Sequence, residues 1–302
     1  DGTYELFRHH FAMPSHRIEV GHGGGEMEVA GVRGVLGSML ALLNGGATHV
    51  GVATDQVIES FRNDLFAGYK SSVGVDPAIL GQFGILEDAL AAMGLVVWPM
   101  VDLEADDALA AAAAAARSDP RVSRVLICTP DKDLAQCVRD TGSRGGAGGR
   151  GGAAVVQLDR RRRVVYDEAG VRAKFGVAPA SVPDWLALVG DSADGYPGVP
   201  RWGPASAATV LARWGTIEAI PALAERWEVS VRGAAGLAAG LRERRGEALL
   251  YKDLATLRSE GTLLTSVDDL AWRGPEPELA AVCRRLDMPA LAGRVVEAAS
   301  GR

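Results

Sequence analysis

"GLVVWPMVDLEADDALAAAAAAARSDPRVSRVLICTPDKD" (residues 94–133) reads as an apolar β-branched run, a knot of acids, a long alanine stretch, and a second apolar run closing on two more acids. Short β-branched runs favour strands, and unbroken alanine has the highest helix propensity. Residues 94–100 and 122–131 are therefore read as strands, with a helix over 105–117 that stops before Pro120. Glu104, Asp106 and Asp107 are read into its first turn, where the helix dipole favours negative charge by about 0.3–1 kcal/mol each. Capping alone accounts for one or two of them. With Asp102 they make a crowd in which each carboxylate raises the cost of ionising the next.

Outward from this stretch the pattern repeats. "THVGVATD" (48–55) is a third strand-like run, again ending in an acid, Asp55. Alternating strands and helices indicate an α/β layered domain with a mainly parallel sheet. Side chains just past the carboxyl ends of such strands line the ligand crevice, so the acids at these ends point to one shared site. Further on, "TGSRGGAGGRGG" (141–152) reads as a flexible loop whose two arginines are candidate phosphate contacts. "AAVVQLDRRRRVVYDE" (153–168) reads as a β-hairpin. Its basic turn, Arg160 to Arg163, is either a solvated charge run or a phosphate contact. From "SVPDWLALVG" (181–190) onward the chain reads as mostly helical.

The composition is that of a globular chain, 302 residues with 48% hydrophobic and 23% charged, enough for one large domain or two smaller ones. No apolar run approaches the roughly 20 residues that span a bilayer. Cys128, Cys137 and Cys283 are odd in number and lack metal-ligand spacing, which argues against a disulfide framework and fits a reducing cytoplasm. The chain opens at Asp1 without a methionine, so a short upstream segment is expected. A net charge of −6 speaks against nucleic acid at first sight, but setting aside nine clustered acids leaves about +3 on the remainder.

Those nine are Asp1, Asp55, Glu104, Asp106, Asp107, Asp131, Asp133, Asp191 and Asp194. Any one pair could be caps or turn residues. As a set they lack enough lysines and arginines to neutralise them, and a hard divalent cation, Mg²⁺ or Mn²⁺, would do so. Two such ions can clamp the attacking and leaving oxygens of a phosphodiester. No Ser-His-Asp or Cys-His arrangement stands out, and the five histidines read as non-catalytic loop or surface residues. A small-molecule phosphatase built on D-x-D aspartates fits the individual motifs as well.

The order "DGTYELFR", "ATDQVIESFRNDLFAGYKSS", "LEADDALA", "TPDKDLAQ" and "LALVGDSADGYPGVPRWGPASAATVL" resembles the 5′-3′ exonuclease and flap endonuclease family, including the nuclease domain of bacterial DNA polymerase I. The resemblance covers roughly residues 1 to 260, and the chain looks like a stand-alone form. It implies a PIN-like nuclease domain over 1–178, with a mainly parallel central sheet and a helical arch. A helical region over 179–302 would follow, carrying a helix-turn-helix-like duplex clamp. It implies that Asp1, Asp55, Glu104 and Asp106 hold one metal ion and Asp131, Asp133, Asp191 and Asp194 a second, with Asp107 beside or between them. Lys70 and Arg62 match positions that face the scissile phosphate, and Tyr69 one that stacks on a base or ribose. Gly198, Gly203 and Ser206 match the turn that grips duplex backbone and holds K⁺. The implied partner is DNA with 5′ ends, flaps or nicks, RNA primers included, bound by a monomer that needs no membrane. Three departures stand out: Ser71, Ser72 and Val73 follow "YK" where an arginine is common, Arg201, Trp202 and Ala205 alter the clamp turn, and no apolar strand precedes Asp1. A protein that kept this fold and binds DNA junctions without turnover is the alternative within the resemblance.

Overall fold

The computed structural model describes residues 1–20, 25–142, 152–259 and 263–301. In chain order the elements are α1 (Gly2–Ala12), β1 (Arg17–Val20), β2 (Gly25–Glu28), α2 (Ala30–Asn44), β3 (Gly51–Asp55), α3 (Phe61–Leu65), α4 (Pro77–Leu80), α5 (Phe83–Ala92), β4 (Val96–Met100) and α6 (Ala105–Ser118). There follow β5 (Arg124–Ile127), β6 (Ala154–Asp159), β7 (Val164–Tyr166), α7 (Glu168–Phe175), α8 (Val182–Val189), α9 (Pro204–Trp214), α10 (Ala234–Glu243), α11 (Arg245–Ala255), α12 (Leu279–Arg285) and α13 (Pro289–Ser300). Four of the helices, α4, α8, α9 and α13, begin on a proline in their first two positions, where a missing N–H costs no intrahelical bond. The elements divide into two compact units.

The first unit comprises Asp1–Ile58, Ser72–Leu109 and Thr262–Arg302. Its β3 and β4 pair in parallel from Gly51 opposite Val96 to Asp55 opposite Met100. α2 and α5 supply Leu36, Leu40, Leu86 and Leu90 to a buried core that Leu286 and Val295, from the far end of the chain, complete. Arg33 secures that far end by donating to the carbonyl oxygens of Leu286 (2.7 Å) and Asp287 (2.9 Å).

The second unit comprises Glu59–Ser71 and Ala110–Gly261. β5 and β6 pair in parallel, and β6 turns back antiparallel onto β7, so the basic hairpin read from the sequence forms. Its core joins α8, α9 and α11 through residues such as Leu186, Val210, Trp227 and Leu254. The helical reading of the chain beyond residue 181 holds for α8 to α13.

Parallel pairing thus occurs in two separate sheets, β3 with β4 and β5 with β6. The second strand-like run ends at Ile127, and the chain leaves the ladder before Asp131 and Asp133. α6 starts at Ala105, so Glu104 precedes the helix instead of lying in its first turn. Residues 143–151 of the glycine-rich stretch, with Arg144 and Arg150, lie outside the described residues. The histidines are not all on loops, since His9 and His10 close the last turn of α1. Among the described residues no helix is long and apolar enough to cross a membrane.

Candidate functional site

In the first unit four of the expected acids are tied together by backbone N–H groups. Asp1 caps α1, its Oδ1 accepting from the Tyr4 N–H at 2.8 Å. The next turn residue, Thr3, accepts the Asp55 N–H on its hydroxyl at 2.8 Å, which holds the carboxyl end of β3 against the start of α1. Asp55 Oδ1 in turn accepts the Ala105 N–H at 2.7 Å, so the strand end caps α6 from outside. Asp107 reaches back to the Glu104 N–H at 3.0 Å. Glu104 and Asp107 are buried and Asp106 is half-buried. The capping and ligand readings of these acids therefore coincide, because orphan N–H groups at a helix start hold the carboxylates in place.

In the second unit two loops bring the remaining acids together. The loop after β5 bends on an Asx-type contact, with the Asp133 N–H donating to Asp131 Oδ1 at 3.0 Å. The loop after α8 closes on itself: the Asp191 N–H donates to the Tyr196 carbonyl at 2.8 Å, and the Ala193 N–H to Asp191 Oδ1 at 2.9 Å. Gly195 sits at φ 89° in the left-handed region, and a Cβ there would lie 2.1 Å from the Gly68 carbonyl oxygen, so glycine is required where this loop meets the 68–70 backbone. Beside that contact the Lys70 N–H donates to the Asp194 carbonyl at 2.9 Å.

The result is a group in which Asp133, Asp191 and Asp194, all buried, each place a carboxylate oxygen within 4.8 Å of the others. At that separation, with an effective dielectric near 20, each ionised pair repels by about 3–4 kcal/mol. At Asp133, burial first, then the charges of Asp131, Asp194 and Asp191, push the carboxyl well above the usual range, against the opposing pull of Lys70. Its Oδ1 is buried without a hydrogen-bond partner. Two ammonium groups answer part of the charge, Lys132 at 2.6 Å from Asp191 Oδ2 and Lys70 at 3.2 Å from Asp194 Oδ1. Four carboxylates against two lysines leave an excess that one divalent cation would match, and an all-oxygen donor set with a buried unpartnered oxygen suits a hard ion.

The residues expected to flank the chemistry divide. Lys70 is half-buried and its backbone carbonyl accepts from Asn63 Nδ2 at 2.9 Å, so its ammonium is presented toward the aspartates by a braced turn. Arg62, at 1% exposure, is enclosed in the core, its Nε donating to the Leu254 carbonyl at 2.8 Å and its Nη2 to that of Thr256 at 3.3 Å. Tyr69 is also buried, at 5% exposure, in the hydrophobic core of this unit. Gly198 takes φ 73°, with backbone of Val189 and Gly190 packed against the space a Cβ would fill. Gly203 precedes α9, and Ser206 caps that helix by accepting the Gly203 N–H at 3.0 Å. Trp202 is buried and donates to the Leu237 carbonyl at 3.3 Å, so this substitution serves the core.

Three residues of the site were not singled out in the sequence. Lys132 lies between the two aspartates of "DKD", and that position was the available signal. Gln157, on β6, donates from Nε2 to the Asp131 carbonyl and braces the loop from behind. Tyr196 is buried with no partner for its hydroxyl; burial, then the charges of Asp133, Asp194 and Asp191, push that hydroxyl far up, so it stays neutral beside the acids.

Residues 1–176 match the 5′-3′ exonuclease N-terminal resolvase-like domain, and residues 177–278 the 5′-3′ exonuclease C-terminal SAM fold. The chain is 30% identical over 220 residues to the 5′-3′ exonuclease of Bacillus subtilis, a match covering 72% of this chain and 70% of that protein. It is 34% identical over 293 residues to DNA polymerase I of Pseudomonas aeruginosa, covering 95% of this chain but 30% of the polymerase. The chain thus spans about 30% of the length of that relative. In fold it is similar to the bacteriophage T5 5′-exonuclease solved with zinc ions, with a TM-score of 0.59 at 17% identity over 89% of this chain and 91% of that one. It is likewise similar to the catalytic core of Rad2 solved with a DNA substrate, with a TM-score of 0.59 at 15% identity over 98% of this chain and 90% of that one.

Proposed function

We propose the following for this chain, which belongs to the 5′-3′ exonuclease family: it is a divalent-metal-dependent 5′-3′ exonuclease and 5′ flap endonuclease acting on DNA. The observation that carries the reading is the mutual approach of Asp133, Asp191 and Asp194 oxygens in a buried position, with one oxygen left unpartnered. Asp131 completes this group, and Asp1, Asp55, Glu104 and Asp106 form a second set, with Asp107 beside it. Each set would hold one ion, Mg²⁺ or Mn²⁺. Bound ions there supply Lewis-acid charge to phosphodiester oxygens.

The chain's own side chains do the rest. Lys70, anchored to the Asp194 loop, offers a cation to phosphate charge that grows toward the transition state. Lys132 holds Asp191 in place, and Gln157 braces the backbone of the Asp131 loop. The turn from Gly198 to Ser206 grips duplex backbone through main-chain N–H groups and takes a K⁺ ion. The same reading makes the protein a cytoplasmic monomer, accepts RNA-primed 5′ ends as well as DNA, and keeps 1–178 and 179–302 as its nuclease and duplex-binding domains.

Product mapping on 5′-labelled flap and nicked duplexes across a Mg²⁺ titration tests it. Cleavage is expected with Mg²⁺ and none with EDTA, and Asp131→Ala should lose at least about 100-fold in rate. Full activity in that variant overturns the assigned roles, and binding without cleavage by the unaltered chain identifies a silent junction binder.

A further inference from the structure

Tyr196 follows the glycine at which the loop after α8 meets the 68–70 backbone, and its own backbone is fixed to an aspartate of the site. Its carbonyl accepts the Asp191 N–H at 2.8 Å, and its N–H donates to the Asp191 carbonyl at 3.1 Å. The ring is as constrained as the backbone. It stacks on Tyr251 of α11, with centroids 5.5 Å apart and planes at 19°, and the residue is 1% exposed. A phenol held in this way keeps one freedom, the rotation of its O–H bond toward an acceptor.

That hydroxyl is buried and has no hydrogen-bond partner among the described residues, and the carboxylates whose charge reaches it are Asp133, Asp194 and Asp191, Asp133 foremost. Asp133 Oδ1 is a buried acceptor in the same condition. A donor and an acceptor left unsatisfied in one small region cost the fold free energy, and native interiors rarely keep such groups without a use. The neighbouring N–H groups are already engaged: those of Gly195 and Tyr196 with the Asp191 carbonyl, that of Ala193 with Asp191 Oδ1, and that of Asp133 with Asp131 Oδ1. The two lysines lie against Asp191 and Asp194, at 2.6 Å and 3.2 Å. A hydroxyl with no other claim on it is therefore the donor at hand for Asp133.

We propose that Tyr196 is a positioning residue of the metal site: its hydroxyl donates to the Asp133 carboxylate, directly or through one water molecule, and so holds that carboxylate in one orientation toward a divalent ion. This rests on the nuclease reading above and extends it to a residue which that reading leaves without a task. A ligand carboxylate that is itself hydrogen-bonded has less freedom to lose when the ion binds, and removing such a partner typically costs about 10–100-fold in metal affinity. Phenylalanine at this position removes the hydroxyl and keeps the ring, so the substitution isolates this one interaction.

The test uses the full chain, stripped with EDTA and titrated with Mg²⁺ in a calorimeter, with melting curves recorded in EDTA and in Mg²⁺. Tyr196→Phe is expected to weaken Mg²⁺ binding by about tenfold or more at the site that Asp133→Asn also weakens. In EDTA it should melt no lower than the unaltered chain, since the lost hydroxyl has no partner there. Flap cleavage by the variant should need about tenfold more Mg²⁺ for half its maximum, a larger change than that in the maximum itself, which a merely structural role would not produce. Tyr251→Phe is the control: it removes a phenol hydroxyl from the other ring of the stack, one that feels Glu247 and Arg244 instead of the aspartates, and should leave Mg²⁺ affinity unchanged. Unaltered Mg²⁺ affinity in Tyr196→Phe, equal weakening by both variants, or a lower melting temperature of Tyr196→Phe in EDTA overturns the inference while leaving the nuclease reading standing. If the unaltered chain neither binds Mg²⁺ at these aspartates nor cleaves a flap duplex, both fall.

Discussion

Arg62 and Lys70 belong to one short stretch, yet they meet opposite environments and call for opposite experiments. Arg62 is enclosed and satisfies two backbone carbonyls from α11 and the residues after it. Removing it with Arg62→Ala strands those carbonyls at a cost of about 2–4 kcal/mol, read as a large drop in melting temperature. Lys70 keeps its ammonium at the aspartates, where a charge matters to chemistry more than to folding. Lys70→Gln is expected to lower single-turnover cleavage about 100-fold while shifting the melting temperature by no more than about 2 °C in Mg²⁺. If both variants behave alike, burial is the wrong guide to their roles. The match between motif and family position treated the two cations as equivalents; only their surroundings separate them.

Among the elements, the junction of β2 with α2 depends on one carboxylate. Glu28 accepts the His16 N–H and the Ala30 N–H, each at 2.9 Å, and the Ser15 hydroxyl. Burial works to raise its pKa, but these hydrogen bonds outweigh it and hold the group below the usual glutamate value. A carboxyl lowered in the folded state contributes stability that is present above the unfolded value of about 4.3 and is lost as pH falls through the folded value. Glu28→Gln should therefore be about 1 kcal/mol less stable near neutral pH, with the gap closing below about pH 4 in urea titrations. A gap that stays constant from acid to neutral pH would mean that packing, and not ionisation, is lost. The alanine run of α6 works at the same scale, since Ala108 and Ala110 to Ala113 are buried and the residues that favour the helix also let it pack closely.

For the molecule as a whole, the acids amount to a folding cost that ligands can lift. Mg²⁺ binding to the native state should stabilise it with the logarithm of free Mg²⁺ above the dissociation constant, by about 2.7 kcal/mol at a hundredfold excess, read as a rise in melting temperature. Asp133→Asn should melt no lower than the unaltered chain in EDTA, having lost a repelled buried charge, and should gain less from Mg²⁺ in calorimetry. A Mg²⁺ response equal to that of the unaltered chain would exclude Asp133 from the ligand set. The sequence by itself determined the strands and helices of the βαβ stretch, the hairpin, and the acids waiting at strand ends and helix starts. Those depend on propensity and periodicity within a few neighbouring residues. Tertiary structure alone decided that Arg62 is enclosed by carbonyls 192 and 194 positions away, that Tyr69 faces a core, that Lys132 and Gln157 brace the aspartates, and that α12 and α13 return to the first unit. The physical reason is that a side chain's charge state and exposure are set by whatever the fold brings against it, and those partners lie far away along the chain.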